Sequence, residues 1–404
     1  MSDNLYGGTI MRTKTENGSI VVFFEGRIDS SNSETIRKEL DGIAAADPGM
    51  ELVIDAEELQ YISSAGLRVL LQLSKNQKNR LEVRNVSLEV YDIFEMTGFT
   101  DILNVTKRLR RFSVEGCEVI GRGAIGTVYR VDDDTIVKVY ELPGSLPMIE
   151  NEQRRAKQAF LKGIPTAISY DVVKVGDKYG SVFEMLKAKT FNDVLIGSPD
   201  KKEEIVRRYI EFIRMIHEVK AEPGELPEAK TVFLNYLAQL KDILGDKLYA
   251  RLRELLDTMP ENLHIIHGDL QMKNVMLSGG EPLLIDMDTL SVGDPVFDLM
   301  GLCVTYQLFN EDEPDNTENF LGISAEMADY VWKNTLSIYF EGQNEDAVSK
   351  AEDSIRLVAY VRFLYLVAVL GITKPELKQP RIDHTLEHLR ALIDRVDSLE
   401  VGVR

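Results

Sequence analysis

The stretch His267-Gly-Asp-Leu-Gln-Met-Lys-Asn-Val-Met-Leu277, followed by Leu284-Ile-Asp-Met-Asp288, decides how this chain is read. It places an asparagine five residues after the aspartate of a His-Gly-Asp turn and ends a second apolar run on another aspartate. Phosphoryl transfer from a nucleotide needs such a set. One carboxylate orients a hydroxyl and accepts its proton, while an amide and a second carboxylate hold Mg²⁺. Asp269 is therefore the expected base, and Asn274 and Asp286 are the expected metal ligands. His267 is expected to hold the turn through hydrogen bonds. Asp288 either assists the metal or satisfies local backbone donors. Asp294 and Asp298, in Gly-Asp-Pro-Val-Phe-Asp-Leu299, are expected to be structural, Asp294 as a helix N-cap ahead of Pro295.

Working upstream, Glu118-Val-Ile-Gly-Arg-Gly-Ala-Ile-Gly-Thr-Val-Tyr129 reads as strand, glycine turn and strand. Gly121, Gly123 and Gly126, followed by Val128, let a β-turn lie close over phosphates, because glycine has no Cβ to obstruct them. Gly-x-Gly-x-x-Gly also marks dinucleotide-binding folds, where the third glycine opens a helix. Here Thr127 to Val131 continues as a strand. Lys138 stands within Ile136-Val-Lys-Val-Tyr140, so strand alternation turns it to one face of the sheet, beneath the glycine loop. Its carboxylate partner is expected from the helix 149–161, where Glu150 and Glu152 are the candidates. Glu152 is preferred because it lies beside an apolar face of Ile149, Ala156 and Phe160. A hairpin of 172–175 and 181–186 is expected to turn at Gly176-Asp177. Beyond Phe191 the chain reads as mostly helical, interrupted by the motif region 264–298.

The 404 residues suffice for about two to three domains. Apolar residues make up 44% and charged residues 28%, ordinary values for a globular chain with a buried core. A net charge of −19 argues against non-specific binding to nucleic acid or to an anionic membrane surface. With two cysteines, Cys117 and Cys303, no disulfide framework is expected, and the usage fits a reducing cytoplasm. The most apolar late stretch, 357–372, is broken by Arg362 and reads as a buried helix.

Residues from about 10 to 105 alternate between strands (20–24, 51–54, 81–86) and helices (33–46, 65–76, 88–96), the pattern of a sheet with helices packed against it. Ser63 and Ser64, in Gln60-Tyr-Ile-Ser-Ser-Ala-Gly-Leu67, stand between strand and helix. A basic run, Lys107-Arg-Leu-Arg-Arg111, reads as a solvated linker or a helix end, with phosphate binding as the alternative.

On these motifs, residues from about 114 to 395 resemble the aminoglycoside phosphotransferase and choline kinase group of the protein-kinase-like fold. The His-Gly-Asp form, the Gly-Asp-Pro…Asp-Leu sequence and Ile216-His217 carry that resemblance, and Met287 departs from the aromatic often found after the metal aspartate. The resemblance implies ATP and Mg²⁺ as cofactors and catalytic roles for Lys138, Asp269 and Asn274. Asn274 and Asp286 would hold metal, and Glu184-Met-Leu186 would form a hinge near the adenine. Residues 10–106 resemble the STAS domain of anti-sigma-factor antagonists through the segment at Ser63-Ser64, Gly26-Arg-Ile-Asp29 and Phe94-x-Met-Thr-Gly98. Ser64 aligns with the family's regulatory phosphoserine. The chain departs from that pattern in having Ser63 where an acidic residue precedes the phosphoserine and Ala65 at the next hydroxyl position.

The implied architecture is an α/β STAS-like sheet with helices (1–106), a linker (107–113), and an α+β bilobal kinase-like fold. Its N-lobe would span 114–190 and its mainly helical C-lobe 191–404. The implied function is phosphotransfer to a hydroxyl of a small molecule or a protein serine, with a signalling partner for the STAS-like domain. The alternative is a signalling interaction protein whose kinase fold senses nucleotide or phosphorylates a STAS serine such as Ser64.

Overall fold

The computed structural model describes residues 10–16, 18–123 and 125–402; Ala124, in the glycine turn, lies outside the described residues. The chain divides into two compact units after Phe112. In the first, β1 (Ile10–Glu16), β2 (Ser19–Ile28), β3 (Glu51–Ile62), β4 (Glu82–Val86) and β5 (Asn104–Lys107) form one sheet in that order. β1 runs antiparallel to β2, and the remaining neighbours are parallel. Parallel neighbours need crossovers, which α1 (Ser33–Ala46), α2 (Ser64–Lys75) and α3 (Leu88–Met96) provide. Alternate residues of β2, Ile20, Val22 and Phe24, enter the core beside Ile54 and Val83. They meet Ile36 and Leu40 of α1, Leu67 and Leu70 of α2, and Val90 and Phe94 of α3.

The helix bounds follow the apolar spacing closely, whereas β2 and β3 run well past their apolar segments. β1 and β5 escape the sequence pattern. β1 is an edge strand, and among its described side chains Met11 packs at the periphery of the core. The basic run lies against this unit: Lys107 covers the Tyr91 ring at 4.1 Å, and Arg108 donates to the Glu57 carbonyl at 3.2 Å.

The second unit is an α+β kinase-like fold. β6 (Glu118–Arg122), β7 (Gly126–Arg130), β8 (Thr135–Tyr140), β9 (Asp171–Val175) and β10 (Lys178–Glu184) pair antiparallel in the order β9-β10-β8-β7-β6. The helix α4 (Leu146–Leu161) follows β8. Its buried face is Ile149, Glu152, Ala156 and Ala159, while Phe160 is 53% exposed. Phe160 is therefore not part of the apolar face expected from the sequence; the one-residue rotation brings Ala159 inward instead.

β11 (Ala188–Thr190) opens the helical part, which continues through α5 (Phe191–Gly197), α6 (Lys202–Glu218), α7 (Ala229–Gln239) and α8 (Lys241–Asp257). Four short strands follow: β12 (Ile265–Ile266), β13 (Val275–Ser278), β14 (Glu281–Leu284) and β15 (Ser291–Val292). β13 pairs with β11 and β14, and β12 pairs with β15. Ile265, Ile266, Val275, Leu284 and Val292 of these strands are buried in one large core, to which α5 to α8 contribute together with α9 (Val296–Cys303), α10 (Phe309–Asp312), α11 (Asn316–Leu321), α12 (Ala325–Tyr339), α13 (Glu345–Ala368) and α14 (Lys378–Leu392). Among the described residues, no helix is long and apolar enough to cross a membrane.

Candidate active site

Lys138 lies at the centre of the sheet, opposite Val128 on β7 and Ser181 on β10. At the start of β7, Gly126 pairs with Tyr140 and its carbonyl accepts the Gly123 amide at 2.9 Å. Gly126 is required sterically, because a Cβ there would meet the Val139 carbonyl oxygen at 2.5 Å. Gly121 and Gly123 are different. The nearest atoms to a Cβ would be Val128 at 3.6 Å and the Gly126 oxygen at 3.9 Å, so packing leaves room above both.

The Lys138 ammonium meets two carboxylates, Glu152 at 3.4 Å and Asp286 at 2.5 Å. Glu152 is buried and also accepts the Tyr140 hydroxyl at 2.7 Å, whereas Glu150 is exposed. Burial opposes the charge on Lys138, but Asp286 and Glu152 outweigh it and hold its pKa above the ordinary value.

The His-Gly-Asp turn is held from beneath. Asp298, buried on the first turn of α9, accepts the His267 amide at 2.8 Å, the Gly268 amide at 2.6 Å and His217 Nε2 at 3.0 Å. Burial pushes the Asp298 pKa up, but the His217 hydrogen bond and the backbone amide of His267 bring it below the usual aspartate value. His217 is fixed in turn by Tyr339, at 2.7 Å.

His267 is buried and spans the turn, with Nε2 donating to the Ile285 carbonyl at 3.0 Å and Nδ1 accepting the Asp269 amide at 3.4 Å. Gly268 has φ +85°, and a Cβ there would come within 2.7 Å of the Thr289 carbonyl oxygen. A side chain between His267 and Asp269 would thus be both strained and blocked. Asn274 donates Nδ2 to the Asp269 carbonyl at 2.8 Å and to its carboxylate at 3.0 Å, and the Asn274 main-chain carbonyl accepts the Ile285 amide at 3.0 Å. These bonds draw Asp269, Asn274 and Asp286 into one set of loops.

Asp286 itself adopts the left-handed region, φ +57°. Two residues on, burial first and the Glu152 charge second push Asp288 up to about 6. Its carbonyl accepts the Arg155 guanidinium, whose pKa burial lowers. Met287 between them is 2% exposed and fills the core. Beyond Glu184, the last residue of β10, the connection 185–187 is anchored by the Met185 amide, which donates to the Asp134 carbonyl at 2.8 Å; Leu186 follows it.

In the first unit, Ser63 is the N-cap of α2, accepting the amides of Ala65 at 3.2 Å and Gly66 at 3.4 Å. Ser64 is the first helical residue and is exposed.

Sequence reasoning missed several groups that shape the site. Tyr140 and Arg155 carry no motif signal, and only the fold aims them at Glu152 and Asp288. Asp298 had a signal in the Asp-Leu pair of its motif, but not its three-way role. Asp294 is not the N-cap expected from the sequence, since Pro295 takes that position; it is structural in another way, accepting the amides of Val296 at 2.9 Å, Val401 at 3.1 Å and Gly402 at 3.1 Å.

Residues 116–325 match the model of the phosphotransferase enzyme family (APH), and residues 11–111 match that of the STAS domain. The chain is similar to the putative anti-sigma factor antagonist BtrV of Bordetella bronchiseptica, 35% identical over 92 residues, 22% of this chain and 78% of that protein. It is also similar to the anti-sigma-B factor antagonist of Bacillus subtilis, 28% identical over 98 residues, 24% of this chain and 88% of that protein. Among solved structures, a choline/ethanolamine kinase family protein from Mesorhizobium loti aligns at 15% identity and a TM-score of 0.45, covering 69% of this chain and 88% of that one. The ADP-bound aminoglycoside phosphotransferase APH(2'')-Ib aligns at 13% identity and a TM-score of 0.47, covering 75% and 98%. The chain therefore belongs to the phosphotransferase enzyme family, whose model spans residues 116–325, and joins that phosphotransferase domain to a preceding STAS domain.

Proposed function

We propose that the chain transfers the γ-phosphate of ATP, with Mg²⁺, to a hydroxyl of a small molecule or of a protein serine, and that the STAS domain regulates or docks this activity. The observation that carries this reading is the convergence of Asp269, Asn274 and Asp286 with Lys138, which pairs with Asp286 at 2.5 Å across 148 residues of sequence. The nucleotide would lie between an N-lobe of 114–190 and a C-lobe of 191–404, its phosphates under Gly121, Gly123 and Gly126 and its base against Val128 and the hinge at Glu184 and Leu186.

The donor set suits a hard cation: Asn274 commits its amide nitrogen to Asp269, so its carbonyl oxygen and the Asp286 carboxylate are the atoms offered to Mg²⁺. Held there, Mg²⁺ would neutralise charge on the phosphate oxygens. Lys138 would exchange Asp286 for phosphate while Glu152 keeps it aimed. Asp269, oriented by Asn274, would take the proton of the acceptor hydroxyl. The free thiols of Cys117 and Cys303 fit a reducing cytoplasmic setting.

Replacement of Asp269 by Ala is the direct test. Transfer should be lost, with turnover down about 10²–10⁴-fold, while nucleotide binding persists. Unchanged turnover would remove Asp269 from the role of base.

A second reading concerns the acceptor. Because Ser63 takes the capping position, the Ser64 hydroxyl is left exposed at a helix N-terminus, where backbone amides favour a phosphate. Ser64 is thus a candidate phosphoacceptor, for this kinase domain or for a partner kinase of an anti-sigma-factor-antagonist pathway. Incubation with γ-labelled ATP and Mg²⁺, followed by mass-spectrometric mapping, separates the cases. Label on Ser64 that is lost in Asp269→Ala supports self-modification. Slow ATP hydrolysis without label directs the search to another acceptor.

A further inference from the structure

The acidic run Glu311-Asp-Glu313 reads in the sequence as a solvated face, or as a contact for a cationic acceptor. In the structure all three carboxylates are engaged. Glu313 pairs with Arg381 at 3.0 Å, Asp312 with His384 at 3.0 Å, and Glu311 accepts the Tyr360 hydroxyl at 2.9 Å. Glu311 and the two imidazoles of α14, His384 and His388, are the one group of three His, Cys, Asp or Glu residues, among the described residues, whose ligand atoms all lie within 4.8 Å of one another.

We propose that Glu311, His384 and His388 form a binding site for a zinc-type divalent cation, separate from the Asn274–Asp286 pair. Four observations carry it. First, His384 and His388 are four residues apart on one helix, so both rings project from the same face, and their Nε2 atoms stand 2.7 Å apart. Second, His384 Nδ1 faces Asp312 at 3.0 Å. A carboxylate there holds the proton on Nδ1 and leaves Nε2 with a lone pair aimed at the cluster, as in carboxylate–histidine–metal arrangements. Third, the His388 ring is stacked flat on Tyr360, with centroids 4.7 Å apart and planes at 7°, and the same Tyr360 hydroxyl holds Glu311. One residue therefore orients two of the three donors. Fourth, two carboxylate oxygens of the acidic run retain acceptor capacity. Arg356 approaches Glu311 only to 3.9 Å while giving Glu352 its 2.8 Å contact, and Asp312 Oδ2 is buried without a hydrogen bond.

Two imidazole nitrogens and one carboxylate are the donors of a three-ligand zinc site that keeps a fourth position open. Zn–N distances of about 2.0–2.1 Å in tetrahedral geometry separate two nitrogens by roughly 3.3 Å, so binding would spread the imidazoles slightly from their present hydrogen-bonded approach. His384 is one-third exposed and gives the cation a route in. The site would join α10 to α14.

The test uses the full chain, stripped with chelator, reloaded with Zn²⁺ and gel-filtered, with metal content measured by mass spectrometry. About one equivalent should be retained. Zinc-edge X-ray absorption should then show two imidazole ligands. Of the five histidines in the chain, His217, His264 and His267 are committed to Asp298 and to backbone carbonyls, so bis-imidazole coordination identifies His384 and His388. Co²⁺ in place of Zn²⁺ should give a visible absorption band that is lost in His384→Ala and His388→Ala and retained in Asp286→Ala. Asp312→Asn, a change at a positioning residue, should weaken binding about 10–100-fold without removing a ligand. No retained metal in the wild-type chain, coordination by oxygen alone, or a cobalt band untouched in folded histidine variants would each overturn the proposal and leave a hydrogen-bonded histidine pair. The wild-type absorption measurement decides the matter even if the variants do not fold.

Discussion

Asp298 holds the His267 turn from 31 residues away, one carboxylate oxygen taking the His267 amide at 2.8 Å and the other the Gly268 amide at 2.6 Å. A rigid helix thereby fixes the backbone that carries Asp269. If Asp269 is the base we propose, this anchoring would keep it within the tolerance that proton transfer demands.

Replacing Asp298 by Ala would leave two buried amides and His217 without their acceptor. We expect a loss of about 2–6 kcal/mol, about 1–3 kcal/mol for each of the two buried amides left without an acceptor, measured by denaturant unfolding. The pKa of Asp298 is depressed in the fold, so its stabilisation is present above the ordinary aspartate value and is lost as pH falls through the folded one. Asp298→Asn should flatten this acid limb of the stability profile; an unchanged acid limb would remove Asp298 from that role.

Asp288 behaves in the opposite sense. Its pKa is raised to about 6, so the folded chain keeps a proton that the unfolded chain releases at about 3.9. Its contribution to stability therefore declines as pH rises between those values and is level above them. We expect affinity for Mg²⁺-nucleotide to rise as pH passes about 6, when Asp288 ionises beside Asp286. Titration calorimetry from acid to neutral pH should show that inflection in the wild type and not in Asp288→Asn.

Asp286→Ala should remove Mg²⁺-dependent nucleotide binding and also free Lys138 from its nearer carboxylate. Fluorescence titration with a nucleotide analogue, with and without Mg²⁺, checks this. Equal Mg²⁺ enhancement in wild type and variant would sink the assignment of Asp286 as a metal ligand.

Gly268→Ala would combine a left-handed φ with a contact of 2.7 Å to the Thr289 carbonyl. A cost of more than about 1 kcal/mol in thermal unfolding is expected, together with a drop in turnover, because the strain falls directly beside Asp269. Gly121→Ala, where a Cβ meets nothing closer than 3.6 Å, should leave stability nearly unchanged and weaken nucleotide binding instead.

The local pattern was legible in the residues alone. The apolar periods of 33–46 and 88–96 define helices whose ends need no tertiary information, since 3.6-residue spacing and turn residues act within a few residues of chain. The glycine turn, the strand lysine and the His-Gly-Asp and Ile-Asp segments were legible for the same reason: phosphoryl chemistry constrains residue types at short spacing. Tertiary structure decided the rest. Edge strands such as β1 bury too little to leave an apolar pattern. The exact rotation of α4, which buries Ala159 and leaves Phe160 exposed, was set by packing. The partners of Tyr140, Arg155, Asp298 and Asp312 lie 12 to 133 residues away. The cluster of Glu311 with His384 and His388 likewise joins distant segments. Hydrogen bonds and electrostatics act through a few ångströms of space, and sequence spacing carries no record of which distant residues folding will bring within that range.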